Sequence, residues 1–438
     1  MSTIQLREPI KSALAAELEA ARQRSLLILD AVDEDDQRRQ HSPLMAPLVW
    51  DLAHVGNYED QWLLRAVGHQ GVRPAIDDLY DAFRHPRASR PALPLLGPRE
   101  ARTYVAEVRQ RALETLDRID LDGERPLLRD GFVYGLVAQH EHQHDETMLA
   151  TRQLMGELAR PLDGVKPAPA GHRREGGETE VFVPAGTYVV GTDLDPWAYD
   201  NERPAHDVDL SPFWIDTTPV TCGAYSEFIA AGGYDQRRWW APEGWSWRQE
   251  AGLVHPQFWL REGGGSWSVL RFGRRRDVKP DEPVQHVCWY EADAYARWRG
   301  ARLPSEAEWE VAASIGSDGT KRRFPWGDAE PTEALANLGQ RHDGPAPAGA
   351  YPQGASGRGC LQMVGDVWEW TSSVFTAYPG FSSFPYREYS EVFFDSGYKV
   401  LRGGCWATSP LSARCTFRNW DHPIRRQIFS GFRCARDA

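Results

Sequence analysis

Membrane-length apolar runs are missing from this chain. No stretch of about 18 consecutive apolar residues occurs, which excludes a helical membrane span of ordinary length. The opening residues, MSTIQLREPIK, lack the apolar core of a secretory signal. Cysteine is scarce, with six residues in 438: Cys222, Cys288, Cys360, Cys405, Cys415 and Cys434. That is too few for a disulfide scaffold, and without an export signal they are expected to be reduced, buried thiols in the cytoplasm. Positive charge is in deficit, 50 Lys and Arg against 62 Asp and Glu, for a net −12. This balance opposes broad nucleic-acid binding, which needs a basic face. The chain is not short of core material: 41% of residues are hydrophobic and 11% aromatic, which excludes general disorder.

Composition divides the chain. Of 18 tryptophans, 16 lie after residue 180, as do all six cysteines, while residues 1–160 hold only 8 of 39 glycines. Between the halves, residues 159–180 (ARPLDGVKPAPAGHRREGGETE) are rich in Pro, Gly and charge and show no periodic apolar face. They read as a linker between a domain at 1–158 and another at 181–438.

The first half has helical periodicity over 11–34, 45–66, 99–118 and 126–156, with Pro98 at a helix start. Four such segments predict a four-helix bundle. The connection from about 69 to 97 is long for a bundle, and long loops often carry function. The second half has short apolar runs (VFVPAGTYVVG, FWIDTTPVT, VLRGGCW, GFRCARD) between Gly- and Pro-rich segments. Only 221–233, 288–300 and 305–314 have helical character. In the last, Ser305 and Glu308 fit a capping box. The fold class is therefore multidomain, α followed by a loop-rich α+β domain.

The segment QHEHQHDE (139–146) lies inside the fourth predicted helix. His140 and His144, at i and i+4, share one face at roughly 6 Å and can bind one ion. His142 points elsewhere and reads as a solvent-facing polar residue. A third ligand must come from another helix of the bundle interior. His54 is the best candidate, on an apolar stripe with Val49 or Trp50 one turn before and Tyr58 one turn after. Asp51, Asp145 and Glu146 are candidates to orient the imidazoles or to ligate directly. Three neutral imidazoles suit Zn, Fe, Cu or Ni. The same residues spell HExxH, in which a zinc hydrolase would use Glu141 as general base.

Residues 45–62 and 132–148 resemble the DinB-like helical domains, in which three histidines bind metal inside a four-helix bundle. The pieces PAGTY (184–188), ERPAH (202–206), ARLPSEAEWE (301–310), FPWG (324–327), MVGDVWEW (363–370), LRGG (401–404) and GFR (431–433) resemble the formylglycine-generating-enzyme/sulfatase-modifying-factor domain, a C-type-lectin-like fold. In this order the two halves are similar to the iron(II)-dependent sulfoxide synthases of ergothioneine biosynthesis. FRNWDHPIRR (417–426) resembles the actinobacterial type. The resemblance implies a cytoplasmic oxidoreductase that joins the thiol of γ-glutamylcysteine to C2 of Nα-trimethylhistidine with O2 and Fe(2+), with no nucleic-acid or membrane partner.

It further implies His54, His140 and His144 as iron ligands. Arg87 and Arg90, with Arg84 as a possible third, would hold the glutamyl substrate, since guanidinium forks suit carboxylates. Asp421 and Arg425 would assist them, and Gln143, Asn419 and Trp420 would line the trimethylhistidine pocket, an aromatic face suiting a quaternary ammonium. A tyrosine of the second domain would serve the oxygen chemistry, Tyr386 in preference to Tyr378. The sequence departs from formylglycine-generating enzymes where those carry a cysteine pair: Thr408 and Ala413 stand there, and Cys405 replaces a serine. Three alternatives stay open on the residues: an ovothiol-type synthase using cysteine and histidine, a zinc-dependent thiol transferase or hydrolase, and a non-catalytic binding module.

Overall fold

A computed structural model describes residues 7–121, 124–170 and 179–438. The chain forms two compact units, Met1–Leu162 and Asp163–Ala438. The division falls inside the stretch read as a linker, of which residues 171–178 lie outside the described residues. No helix among the described residues is long and apolar enough to cross a membrane.

The first unit is built on four long helices and one short one. α1 (Arg7–Asp30) buries Leu14, Leu18, Ala21, Ser25 and Ile28, a helical stripe. It stops four residues before the predicted end, because Asp33 caps a separate helix, α2 (Glu34–Arg38), by accepting a hydrogen bond from the Asp36 amide at 2.9 Å. α3 (Leu48–Glu59) is buried along its whole length and continues as one π-helical stretch, Asp60–Arg65. α4 spans Pro98–Arg118 with Pro98 in its first turn. α5 (Phe132–Leu154) begins later than predicted, because Asp130 and Gly131 have φ of 54° and 70° and break the helix. A Cβ at Gly131 would lie 2.6 Å from Leu14 Cδ1, so glycine lets the start of α5 meet α1. α1 packs on α5, and α3 on both α4 and α5. The 69–97 connection is ordered by two 3₁₀ turns, Pro74–Tyr80 and Arg87–Ala92.

The bundle interior is partly ionic. Arg22 and Arg109 are sandwiched between Glu59 and Glu141: Arg22 reaches Glu59 and Glu141 at 2.7 Å each, and Arg109 reaches them at 2.6 and 2.9 Å. The Ser25 hydroxyl lies 3.0 Å from Glu141 Oε1 and 2.7 Å from Asp145 Oδ1 and shares its one proton between the two carboxylates. Two cations facing two carboxylates leave no net charge, the condition for burying such groups.

The second unit is assembled from small sheets. β1 (Glu180–Val183), β4 (Phe213–Asp216) and β12 (Ala435–Asp437) form an antiparallel three-stranded sheet with β4 central. β2 (Gly186–Val190) pairs with β3 (His206–Leu210). β5 (Trp259–Arg261), β6 (Trp267–Arg271) and β7 (Arg274–Asp277) form a meander. The fourth sheet has the order β10 (Asn419–Asp421), β9 (Lys399–Arg402), β8 (Trp368–Val374), β11 (Ser430–Gly431). Helices α6 (Cys222–Ala230), α8 (Trp289–Trp298) and α9 (Glu306–Ser314) lie within the predicted segments. The Ser305–Glu308 capping box forms at the start of α9. α7 (Pro242–Glu250) lies outside the predicted helical segments, because its glycine and two tryptophans mask a helical pattern. The motif arginines are interior props: Arg402 pairs with Glu310 at 2.6 Å, Arg418 with Glu306 at 2.9 Å and Arg433 with Glu369 at 2.7 Å. All six cysteines are buried and none is in a disulfide.

Candidate metal centre

α5 presents His140 and His144 one turn apart on the face that meets α3, and α3 presents His54 toward them. Ring centroids lie 4.6 Å apart for His140–His144, 4.7 Å for His54–His144 and 5.2 Å for His54–His140. One nitrogen from each ring lies within 4.8 Å of the others, close enough to share an ion.

The surroundings decide which nitrogen is available. His54 Nδ1 lies 2.7 Å from the Tyr80 carbonyl, which can only accept, so Nδ1 carries the proton and Nε2 the lone pair. His144 Nδ1 lies 2.9 Å from Asp51 Oδ1, with the same consequence. His140 Nδ1 is buried with no hydrogen-bond partner. Aromatic rings hold the imidazole planes: Trp50 stacks on His54 at 4.6 Å and 12°, and Tyr58 on His140 at 3.7 Å and 15°. Burial, reinforced by His144, lowers the pKa of His54 and of His140 well below the ordinary imidazole value. Both are therefore neutral at pH 7 and able to ligate. A compact set of three imidazoles, with the tautomers of His54 and His144 set by their Nδ1 partners, fits a divalent transition metal.

Neighbouring positions serve the bundle instead. His142, expected to face solvent, is buried, with Nδ1 3.1 Å from Asp145 Oδ2. Asp145 points toward α1 rather than to the imidazole cluster. Glu141 faces Arg22 and Arg109, about 100° around the helix from His140. Burial raises its pKa, but the two guanidiniums and the Arg22 and Ser25 hydrogen bonds outweigh that and hold it at about 2. A carboxylate so pinned is not the general base of a hydrolase, so the HExxH reading fails on geometry.

The 69–97 connection brings Arg90 to the same region. Its guanidinium carbon sits 3.5 Å from the Trp50 ring centroid, while Nε and Nη2 donate to the carbonyls of His85 (3.0 Å) and Ala82 (3.4 Å). No carboxylate among the described residues is within ion-pair distance of it, although it is only 5% exposed. Burial lowers its pKa to about 10, with Asp51 opposing and Arg87 adding to the effect, so it is a cation at neutral pH. A buried guanidinium held only by backbone carbonyls and an aromatic face is costly, in contrast to Arg22 and Arg109, which face carboxylates at 2.6–2.9 Å. Arg87 is half-buried and donates to the Leu44 carbonyl at 3.1 Å. Arg84 is exposed and pairs with Asp78. Gln143 is half-buried, one residue before His144.

Family comparison covers both units. A DinB superfamily domain matches residues 17–148, and a sulfatase-modifying factor enzyme 1-like domain matches 166–438. Hercynine oxygenase of Mycolicibacterium smegmatis is 52% identical over 437 residues, covering 98% of this chain and 99% of that one. Hercynine oxygenase of Mycobacterium tuberculosis is 51% identical over 430 residues, covering 97% and 98%. The chain belongs to the hercynine oxygenase family. Membership makes it an oxidoreductase, a metal-dependent oxygenase, and its chain carries a three-histidine cluster that could hold a metal ion. The formylglycine-generating enzyme of Streptomyces coelicolor is 33% identical over 315 residues but covers only 64% of this chain. The hercynine oxygenases are thus distinguished by similarity that runs through the helical unit, where the histidines lie.

In this hercynine oxygenase family member the remaining candidates sit on the second unit. Asn419, Trp420 and Asp421 form edge strand β10 and pair with Leu401, Val400 and Lys399. Trp420 stacks on Phe375 at 4.2 Å and 7°. Asp421 Oδ1 lies 3.4 Å from Arg425 Nε. The two tyrosines differ. Tyr378 belongs to the core, 7% exposed, with the Arg418 guanidinium 4.0 Å from its ring centroid and its hydroxyl buried without a hydrogen bond. Burial pushes its pKa up. Tyr386 is half-buried on a segment anchored by Asp200, which accepts from the Phe384 amide at 3.2 Å and the Ser390 hydroxyl at 2.6 Å. Cys405 and Thr408 are buried against each other, the Cys405 amide donating to Thr408 Oγ1 at 2.8 Å.

The ionic layer of Arg22, Glu59 and Arg109 was missed in the sequence. Its signal was there: Arg109 interrupts an otherwise apolar stripe of Val105, Val108 and Ala112.

Proposed function

We propose that this protein catalyses O2-dependent joining of γ-glutamylcysteine to hercynine, Nα-trimethylhistidine, at an iron(II) held by His54, His140 and His144. Loss of the thiol S–H and the imidazole C2–H forms the C–S bond, and the sulfur is oxidised to the sulfoxide. One oxygen atom enters that sulfoxide and the other leaves as water, so O2 takes up all four electrons. The observation that carries the reading is the convergent three-histidine cluster in a chain similar to hercynine oxygenases from end to end.

Iron(II), when bound, supplies the oxygen chemistry, and the protein supplies placement and electrostatics. Arg90 and Arg87 capture substrate carboxylate, Arg90 as the preformed buried cation. Asp421 takes the α-ammonium of the glutamyl group with Arg425 beside it. Gln143, Asn419 and Trp420 accept the trimethylhistidine, Trp420 offering an aromatic face to the quaternary nitrogen. The Tyr386 hydroxyl is the group we assign to proton or hydrogen delivery, its half-buried setting supporting it over Tyr378. Six buried cysteines outside any disulfide support a reducing, cytoplasmic setting. The domains that carry these roles are 1–158 and 181–438.

The test is aerobic turnover of iron-reconstituted protein with both substrates, read by O2 uptake and product mass. A product carrying both substrates and one added oxygen is expected. Turnover without O2 uptake, or turnover of histidine and cysteine in preference, refutes the assignment.

A further inference from the structure

Trp50 touches both halves of the chemistry assigned to the helical unit. One face of its indole stacks on the ligand candidate His54, at 4.6 Å and 12°. The Arg90 guanidinium carbon lies 3.5 Å from the same ring's centroid. Two planar groups at these distances cannot share one face, so the indole is sandwiched between them. Trp50 is fully buried and its Nε1 donates to the Leu79 carbonyl at 3.0 Å, next to the Tyr80 carbonyl that fixes His54. The Tyr80 hydroxyl in turn accepts from the Leu96 amide at 2.9 Å, closing the far end of the same connection. One segment thus holds the ligand imidazole, the indole and the arginine in a single column.

We propose that Trp50 is a positioning residue that couples carboxylate capture at Arg90 to metal occupancy at His54. An ion at His54 narrows the tilt of the imidazole that stacking and the Tyr80 carbonyl leave to it. The plane fixes the indole, and the indole fixes the guanidinium fork that meets the carboxylate. Linkage makes the effect reciprocal: carboxylate bound at Arg90 tightens the metal by the same factor. The inference rests on Arg90 being a substrate-carboxylate residue, as proposed above.

The experiment uses γ-glutamylalanine, which keeps the glutamyl carboxylates but has no thiol to bind metal. Its affinity is measured by anaerobic calorimetry on the full chain, apo and loaded with Fe(II). Any direct ion–anion attraction is common to wild type and the Trp50 variants, so the coupling is read as the fall in the loaded-to-apo ratio between them. Wild type is expected to bind about five-fold or more tightly when loaded. Trp50→Leu should lower that ratio about five-fold, and Trp50→Phe, which keeps an aromatic face, should restore most of it. Trp50→Met serves in place of leucine if that variant fails to fold by circular dichroism. A packing defect alone would weaken apo and loaded binding equally and leave the ratio unchanged, which would overturn the coupling, as would a wild-type ratio of one. Arg90→Met separates the two levels. If it weakens γ-glutamylalanine while the Trp50 variants keep the ratio, only the coupling falls. If it leaves the affinity unchanged, the assignment of Arg90 falls and the coupling with it.

Discussion

Glutamine at position 141 separates a structural ion pair from a catalytic base that the string HExxH would suggest. Glu141 is fully buried and faces Arg22 at 2.7 Å and Arg109 at 2.9 Å. Its pKa is held at about 2 against an ordinary 4.5, a gap that corresponds to ~3 kcal/mol of folding free energy. Glutamine keeps the shape but leaves two buried guanidiniums with Glu59 alone, and a broken buried pair costs about 3–5 kcal/mol. The expected result for Glu141→Gln is a loss of ~3 kcal/mol in the helical unit. With a urea m value of about 2 kcal/mol/M, the midpoint falls by ~1.5 M, followed by circular dichroism at 222 nm. The sign with pH follows from the depressed pKa. The contribution is complete above 4.5 and is lost as pH falls from 4.5 toward 2, so wild type destabilises over that window and Glu141→Gln shows a flatter profile. Metal content and turnover per bound metal should change little in the folded fraction. An unchanged midpoint together with abolished turnover and full metal content would refute the argument and restore Glu141 as a base.

Three further outcomes are expected. Alanine at His54, His140 or His144 should lower metal affinity by more than ~100-fold, a larger loss than the 10–100-fold typical of groups that only orient ligands, measured by competition with a chelator; retained stoichiometric binding in any one would remove that residue from the set. Asp51→Asn, which keeps the shape but weakens the bond to His144 Nδ1, should cost about 10–100-fold in metal affinity with little change in unfolding midpoint. Tyr386→Phe should divert product from the sulfoxide toward cysteine sulfinate, quantified by mass spectrometry, whereas an unchanged sulfoxide yield would move the role to Tyr378.

Local periodicity accounts for what could be read from the amino-acid sequence alone. The i,i+4 spacing puts His140 and His144 on one face of any helix that contains them, whatever packs around it. Composition separates an aromatic-poor helical half from a tryptophan- and glycine-rich half, and the ordered motifs of the latter carry enough specific residues to indicate its fold. The capping box at Ser305 is equally local. Tertiary structure decided everything that depends on how helices register against one another. That His54 of α3 meets the α5 pair follows from close packing of α3 on its neighbours, including Gly56, where a Cβ would lie 2.6 Å from Val105 Cγ1 of α4. His142 and Glu141 look like surface or catalytic residues in the string but are buried, because α1 and α4 bring Ser25, Arg22 and Arg109 against that side of α5. Arg90 looks like one of several solvated arginines in a polar loop. Only the folded connection lays it, buried and without an ion-pair partner, on Trp50, since the energy of a charge depends on the neighbours that replace its water and not on its place in the chain.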